Sequence, residues 1–163
     1  MNLLFEDEIV QENVKCGKGC SFCCHTQVSV TRDEAELLAQ RIIDGIDIDL
    51  ERLYRQSKAE NSSAEWYKMD HKTRACVFLG PEGECTVYED RPSVCRTNNV
   101  VSDPANCSTE DGKEKSVRLL NTYASDMIIM AHFSNSKENG ALPQMLFRSL
   151  DNRVQRQSKD LTK

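Results

Sequence analysis

Four cysteines stand within nine residues near the start of the chain, and this cluster constrains the fold and function more than any other feature. They are Cys16, Cys20, Cys23 and Cys24. The run KCGKGCSFCCH also contains two glycines, which adopt backbone conformations that other residues resist. A tight loop of this kind can turn several sulfurs toward one centre. Four more cysteines follow over 32 residues: Cys76, Cys85, Cys95 and Cys107.

The surroundings of these cysteines favour metal binding over a disulfide framework. The first residues, MNLLFEDEIVQENV, carry acidic side chains where a signal peptide needs a basic start and an apolar run. We therefore expect a cytoplasmic protein, in which thiols stay reduced and clustered cysteines more often bind metal. Zinc takes four thiolates in a tetrahedron, and iron–sulfur clusters also use four cysteines. The eight cysteines thus predict one or two sites for Zn²⁺ or a 4Fe-4S cluster, with either metal satisfying the spacing.

Length and charge narrow the class of protein further. The 163 residues suit one domain that buries a core without covalent staples. The net charge of −5 argues against a nucleic-acid binder or a protein of anionic membranes, because both carry basic excess. No stretch approaches the apolar length of a membrane span. We expect no nucleic acid and no membrane as partners, and we expect a protein partner.

Helical patterns cover much of the chain. Thr31 and Glu34 have the spacing of a capping box, which predicts a helix over about 32–44. In residues 1–14 we expect a short helix or arm with Leu3 and Leu4 among its apolar positions. Further apolar periods predict helices over about 48–60, over about 113–134 and from about residue 142 onward.

A β-hairpin is predicted in the segment ACVFLGPEGECTVYEDRPSVCR. Its strands would be Cys76–Leu79 and Glu84–Tyr88, joined by a turn over 80–83, with Pro92 opening a short helix. The predicted fold class is therefore mainly α. We expect a small single domain over residues 1–155, with a short β-hairpin, cysteine-rich metal-binding loops and a polar tail over 156–163.

The cysteine pattern resembles a known family. The segment Cys16-x3-Cys20-x2-Cys23-Cys24, followed by CVFL from Cys76 and CTVYEDRPSVCR from Cys85, is similar to the YkgJ-type cysteine-cluster family. These are zinc- or iron-chelating domains with a CxxCxxCC signature. The resemblance covers about residues 15–96, and the first gap here has three residues rather than two. It implies metal binding at the seven cysteines from Cys16 to Cys95, while Cys107 supplies an eighth thiol.

The resemblance and the residues leave other functions open. Relatives of this family include flagellin lysine methylases, which implies an iron–sulfur-dependent protein-modifying enzyme such as a methyltransferase as a second hypothesis. A third hypothesis is a thiol redox switch in which Cys23 and Cys24 form an oxidisable pair. Cys16, Cys20 and Cys23 also match enzymes that cleave S-adenosylmethionine, but no alternation of strands and helices follows to build their barrel.

Residues next to the cysteines bear on the ligand set of the predicted metal site and on the charge around it. His25 directly follows Cys24, so a mixed cysteine–histidine site is an alternative to cysteines alone. Cations flank both cysteine groups, where they would offset the negative charge of thiolates and lower thiol pKa values. These cations are Lys15, Lys18, Arg91 and Arg96.

Overall fold

The structure, a computed structural model, describes residues 6–17, 19–59 and 61–160. The described chain is mainly α-helical, which confirms the predicted fold class. Its helices are α1 Glu8–Asn13, α2 Arg32–Ile43, α3 Leu50–Ser57, α4 Ser63–Lys68, α5 His71–Arg74, α6 Ser93–Thr97, α7 Tyr123–Asn135 and α8 Leu142–Asp160. Two strands, β1 Ser29–Thr31 and β2 Asn139–Ala141, form an antiparallel pair.

Helix α2 begins at the predicted capping box. The Glu34 N–H donates to Thr31 Oγ1 at 3.3 Å, and the Glu34 carboxylate accepts the Thr31 N–H at 2.9 Å. Both bonds pair backbone N–H groups that a helix start otherwise leaves without an acceptor. The helix then buries Ala35, Leu38 and Ala39 on the face that packs against α8.

The main apolar core lies where α2, α3, α8 and the two strands meet. Val30, Leu38, Leu53 and Leu146 are fully buried there. Each such side chain contributes roughly 1.5–3 kcal/mol of burial free energy. Helix α8 runs through the predicted boundary at residue 155 and continues to Asp160. None of the described helices is long and apolar enough to span a membrane.

The strands lie elsewhere than predicted. β1 pairs with β2, with Val30 opposite Gly140, so the sheet joins distant parts of the chain. The predicted strands Cys76–Leu79 and Glu84–Tyr88 are wrong, because this segment is a reversal with one isolated bridge between Leu79 and Cys85. Two backbone bonds close the reversal, from the Gly80 N–H to the Glu84 carbonyl at 2.8 Å and from the Thr86 N–H to the Phe78 carbonyl at 2.9 Å.

The predicted helix over 113–134 is wrong in its first half. Residues 113–122 are not helical. The Leu120 N–H donates to the Asn99 carbonyl at 2.7 Å, and the Val101 N–H donates to the Arg118 carbonyl at 2.8 Å. These long-range bonds replace the local bonds of a helix. The short helices α4 and α5 were not predicted. The predicted apolar positions Leu3 and Leu4 lie outside the described residues.

Candidate metal centre

The eight cysteines come from separate short turns and loops. Cys16 and Cys20 lie between α1 and a 3₁₀ turn, Phe22–His25, that carries Cys23 and Cys24. The others lie on the 76–87 reversal, on α6 and at the end of a second 3₁₀ turn, Pro104–Cys107: Cys76, Cys85, Cys95 and Cys107. All eight are free thiols and partly buried.

Backbone hydrogen bonds draw these segments together. The Cys76 N–H donates to the Cys24 carbonyl at 2.7 Å, and the Lys15 N–H donates to the Val100 carbonyl at 2.8 Å. The turn over Phe22–His25 also packs against the turn over Pro104–Cys107. Parts of the chain that are far apart in sequence therefore converge on one region.

Two glycines allow two cysteine-bearing loops to approach closely. Gly19 and Gly83 have φ values of 83° and 80°, in the left-handed region that favours glycine. A Cβ atom at Gly83 would lie 2.9 Å from the Gly19 carbonyl oxygen. The role of glycine in the first loop was predicted, whereas Gly83 looked like an ordinary turn residue.

Side chains of helices α3 and α4 donate hydrogen bonds to backbone carbonyls next to the cysteines. The Gln56 side-chain amide is buried and donates to the carbonyls of Thr73 and Ala75, both at 2.7 Å, just before Cys76. The Trp66 indole N–H donates to the His25 carbonyl at 2.9 Å, directly after Cys24. Both side chains thus position cysteine loops, and neither role was visible in the sequence.

Several hydrogen-bond donors point at the cysteine sulfurs. The Val100 N–H donates to Cys16 Sγ at 3.3 Å. Burial raises the pKa of Cys76 and of Cys85, and hydrogen bonding from the N–H groups of Phe78 and Val87, respectively, opposes this rise. Bonds of this kind favour the anionic thiolate, which is the form that binds a metal.

Arginines add positive charge around the same sulfurs. Arg91 interacts electrostatically with Cys23, Cys85 and Cys95, and its guanidinium lies 3.8 Å from the centroid of the Tyr88 ring. Its Nε atom is buried and has no hydrogen-bond partner among the described residues. A buried donor without an acceptor is costly, so this atom fits beside an anionic centre.

The other cations near the cysteines differ in the groups that they contact. Arg96 interacts electrostatically with Cys85 and donates to the backbone carbonyl of Arg91 at 3.0 Å. The Lys15 ammonium donates to the Glu12 carbonyl at 3.0 Å. Lys18 lies outside the described residues. Arg52, which the sequence did not single out, interacts electrostatically with Cys76.

Arg74, two residues before Cys76, is a buried cation that sequence reasoning missed. It is 1% exposed, and its guanidinium donates to Thr109 Oγ1 at 2.9 Å, the Thr109 carbonyl at 2.7 Å and the Met69 carbonyl at 3.2 Å. All three acceptors are neutral, and among the described residues no carboxylate forms an ion pair with Arg74. Buried charges are usually paired, so this cation suits a region that gains negative charge.

The thiols have unequal acidities. The Cys24 S–H donates to the Cys23 sulfur, which lowers the pKa of Cys23 and raises that of Cys24. Burial raises the pKa of Cys76 and of Cys107 to about 11 each, and it also raises the pKa of Cys95. A bound metal would have to displace most of these protons, so its affinity should rise with pH.

The histidines take other positions. The His25 ring stacks on His71 at 3.9 Å between centroids, and its Nδ1 lies 3.3 Å from the Ser21 carbonyl oxygen. His132 Nε2 lies 3.0 Å from Thr31 Oγ1. Among the described residues, no three side chains of His, Cys, Asp or Glu already form a group with metal-binding geometry.

The fold and the site thus define a cysteine-rich domain in which a backbone N–H donates to a sulfur and arginine side chains interact electrostatically with others. The model of one family, CxxCxxCC, described as "Putative zinc- or iron-chelating domain", matches residues 15–122. The chain belongs to this family, which confirms the resemblance seen in the sequence. The match includes all eight cysteines, and the description covers both metals that the sequence predicted. No curated protein and no solved structure matches the chain.

Proposed function

We propose that this chain is a cytoplasmic domain that binds Zn²⁺ or a 4Fe-4S cluster through cysteine thiolates. Membership of a zinc- or iron-chelating family supports metal binding in general. The observation that carries thiolate ligation is the Val100 N–H, which donates to Cys16 Sγ at 3.3 Å. The electrostatic interaction of Arg91 with Cys23, Cys85 and Cys95 supports it. The residues that would hold the metal are Cys16, Cys20, Cys23, Cys24, Cys76, Cys85, Cys95 and Cys107.

The charges around the sulfurs support the proposal. A Zn²⁺ ion with four thiolates carries a net charge of about −2, because each thiolate contributes one negative charge. Arg52 and Arg91 face the sulfurs, and Arg74 is buried beside them in sequence. The interactions of Arg52 with Cys76 and of Arg91 with Cys95 favour the charged thiolate, so both arginines would support a metal–thiolate centre.

The test is anaerobic purification followed by metal analysis, acid-labile sulfide analysis and a visible absorption spectrum on one sample. Zinc without sulfide and without colour indicates a closed zinc site. Iron and sulfide in equal amounts, with thiolate-to-iron absorption, indicate a cluster. A folded protein that holds no metal after anaerobic purification and does not bind added Zn²⁺ or Fe²⁺ with sulfide would contradict the proposal.

A redox switch is a second candidate, because the Cys24 S–H donates to Cys23 and leaves Cys23 as the more acidic thiol. With hydrogen peroxide as oxidant, two thiols would become one disulfide and two waters, and any metal held by them would be released. Peptide mapping after peroxide treatment, with metal release followed on the same sample, tests this. A disulfide that forms elsewhere, or none, would remove the candidate. The protein-modifying enzyme stays a prediction.

We also propose that the chain binds a protein partner. Helix α7 supports this, because it buries none of its side chains and exposes Tyr123, Ile128 and Met130 by 71%, 71% and 62%. Large exposed apolar patches often mark interaction sites. If a second copy covers α7, light scattering should show a dimer that Ile128→Lys converts to a monomer.

A further inference from the structure

Helix α7 has one face on the protein body and one face toward solvent. It packs against α6 and β1. On the inner face Ile129 and Phe133 are half-buried, and His132 Nε2 lies 3.0 Å from Thr31 Oγ1. With 3.6 residues per turn, the residues of the opposite half of the helix form one continuous surface. We call this surface the outer face of α7, and its residues are all exposed: Tyr123, Ala124, Met127, Ile128, Met130, Ala131, Ser134 and Asn135.

The outer face is apolar and uncharged. Its four large side chains are between 47% and 71% exposed. None of its eight members, all of them described residues, carries a charge, although charged residues make up 29% of the chain. The carboxylate of α7 lies elsewhere, since Asp126 accepts the Thr122 hydroxyl at 2.9 Å. Interface cores are enriched in aromatic residues and Met and depleted in Lys, Glu and Asp, so the outer face has the composition of an interface.

The helix also lacks the packing that stabilises a helix of its length. A helix of 13 residues is marginal in water by itself, because its first turn is costly to form. Among the described residues, no side chain of α7 is fully buried, and its N-cap residue Thr122 makes no side-chain capping bond. Ile128 and Ile129 are β-branched, which lowers helix propensity further. A partner on the outer face would supply the missing packing.

Side-chain size changes along the outer face. The first half of the face is mostly large and the second half is mostly small: Tyr123, Ala124, Met127 and Ile128, then Met130, Ala131, Ser134 and Asn135. Close packing leaves few voids when large side chains lie opposite small ones. A face that is large at one end and small at the other is therefore complementary to itself when it is turned end to end.

A second copy of the chain meets this requirement when the two α7 helices run antiparallel about a two-fold axis. With the axis beside Ile129, Met127 of each copy lies opposite Ala131 of the other, because the two positions are equally far from the axis. By the same rule, Tyr123 lies opposite Asn135. The uncharged outer faces bring no like charges together, and the two helix dipoles oppose each other favourably.

On the basis of the proposed protein partner, we propose that the partner is a second copy of this chain, bound through the outer face of α7 in an antiparallel, two-fold contact. A helix of 13 residues is about 20 Å long. A contact between two such helices is near the lower size limit of specific interfaces, about 1,200 Å² in total. The dimer is therefore reversible and depends on protein concentration.

The test is analytical ultracentrifugation of the full chain with a reducing agent, which prevents disulfide-linked dimers. The wild type should pass from monomer to dimer as its concentration rises. Met127→Glu and Ala131→Lys should each weaken the dimer at least about tenfold, because each buries a charge opposite an apolar residue. The two variants mixed in equal amounts should dimerise again, since the new carboxylate of one then lies opposite the new ammonium of the other. Leu50→Glu, at a 62% exposed apolar position on α3, is the matched control and should dimerise like the wild type.

Each other outcome overturns a stated part of the proposal. A wild type that stays monomeric at every concentration, or a dimer that Met127→Glu leaves intact, would overturn the second copy as partner. Failure of the mixture to dimerise, with both variants folded by circular dichroism, would overturn the antiparallel register. Should Met127→Glu fail to fold, Ala131→Lys carries the same test.

The failure of the second copy is distinguishable from the failure of the proposed protein partner. If the wild type is monomeric, wild type and Met127→Glu are each used to capture proteins from a cell lysate. A protein that binds the wild type and not the variant would overturn the second copy and keep a different protein partner on α7. The absence of any such protein would overturn the proposed protein partner as well.

Discussion

Two parts of this molecule, a helical half and a cysteine half, are stabilised by different interactions. The helical half, residues 28–59 and 139–160, contains α2, α3, α8 and both strands, and it buries Val30, Leu38 and Leu146 completely. The cysteine half, residues 15–27 and 75–112, consists of loops, short turns and α6. Its contribution to the apolar core comes from the 76–87 reversal, through Val77, Phe78 and Val87.

This difference indicates how much a bound metal would add to the stability of each half. The helical half gains stability from apolar burial, which needs no cofactor. The cysteine half has few buried apolar side chains, and its segments meet through backbone hydrogen bonds and through sulfurs. Each hydrogen bond contributes only about 1 kcal/mol net, so metal–thiolate bonds would be the main stabilising interaction there.

Removal of the metal should give the largest effect and would separate the two halves most clearly. A chelator should unfold the cysteine half, because structural zinc contributes on the order of 10 kcal/mol in small zinc domains. The helices α2 and α8 should remain. Amide hydrogen exchange measured by mass spectrometry should rise strongly over 98–112 and little over 35–42. Equal exchange in both regions would show that the halves do not differ in their dependence on metal.

Leu146→Ala should have the next largest effect, and on the other half. Leu146 is fully buried, so truncation should lower the free energy of unfolding by roughly 2–5 kcal/mol. Metal per folded chain should stay the same. Denaturant unfolding with metal analysis checks both points. Leu50→Ala is the control, since Leu50 is 62% exposed and should change stability by less than about 0.5 kcal/mol.

Arg91→Ala should weaken metal binding with intact secondary structure. Its guanidinium interacts with three sulfurs, and loss of such a supporting group typically costs 10–100-fold in metal affinity. Competition with a chromogenic chelator measures the affinity, and circular dichroism measures the helix content. Arg55→Ala, at an exposed position on α3, is the matched control. Equal affinities in the two variants would show that Arg91 serves only to pack on Tyr88.

Glu34→Gln should have the smallest effect, of about 1 kcal/mol, and it tests the link between the halves. Burial alone would raise the pKa of Glu34, but the N–H groups of Ser93 and Thr31 hold it below its ordinary value of 4.5. The carboxylate therefore stabilises the fold fully above pH 4.5, and this contribution is lost as the pH falls through the lower folded value. Asp70 and Asp90 also have lowered pKa values, so unfolding measured between pH 3 and 7 should show a larger loss of stability in wild type than in the variant. The same loss in both proteins would show that groups other than Glu34 cause it.

The helical half was the more predictable of the two. The spacing of Thr31 and Glu34 predicted the start of α2 correctly, because a capping box is formed by residues close in sequence. The start of α8 at Leu142 was predicted as well. In contrast, the predicted helix over 113–134 failed before Tyr123, where backbone groups of Val101 and Leu120 bond across the chain. Apolar periodicity reports local structure and does not register such bonds.

The sequence by itself determined the chemistry of this protein: eight thiols at short and medium spacing, an acidic net charge and a zinc- or iron-chelating family. Only the tertiary structure decided that the Cys76 N–H bonds to the Cys24 carbonyl, that Arg74 is a buried cation and that β1 pairs with β2 across the chain. The physical reason is that ligand type depends on side-chain identity, which each residue carries alone. Grouping of ligands and burial of charge depend on contacts between segments far apart in sequence, and no local pattern specifies those contacts.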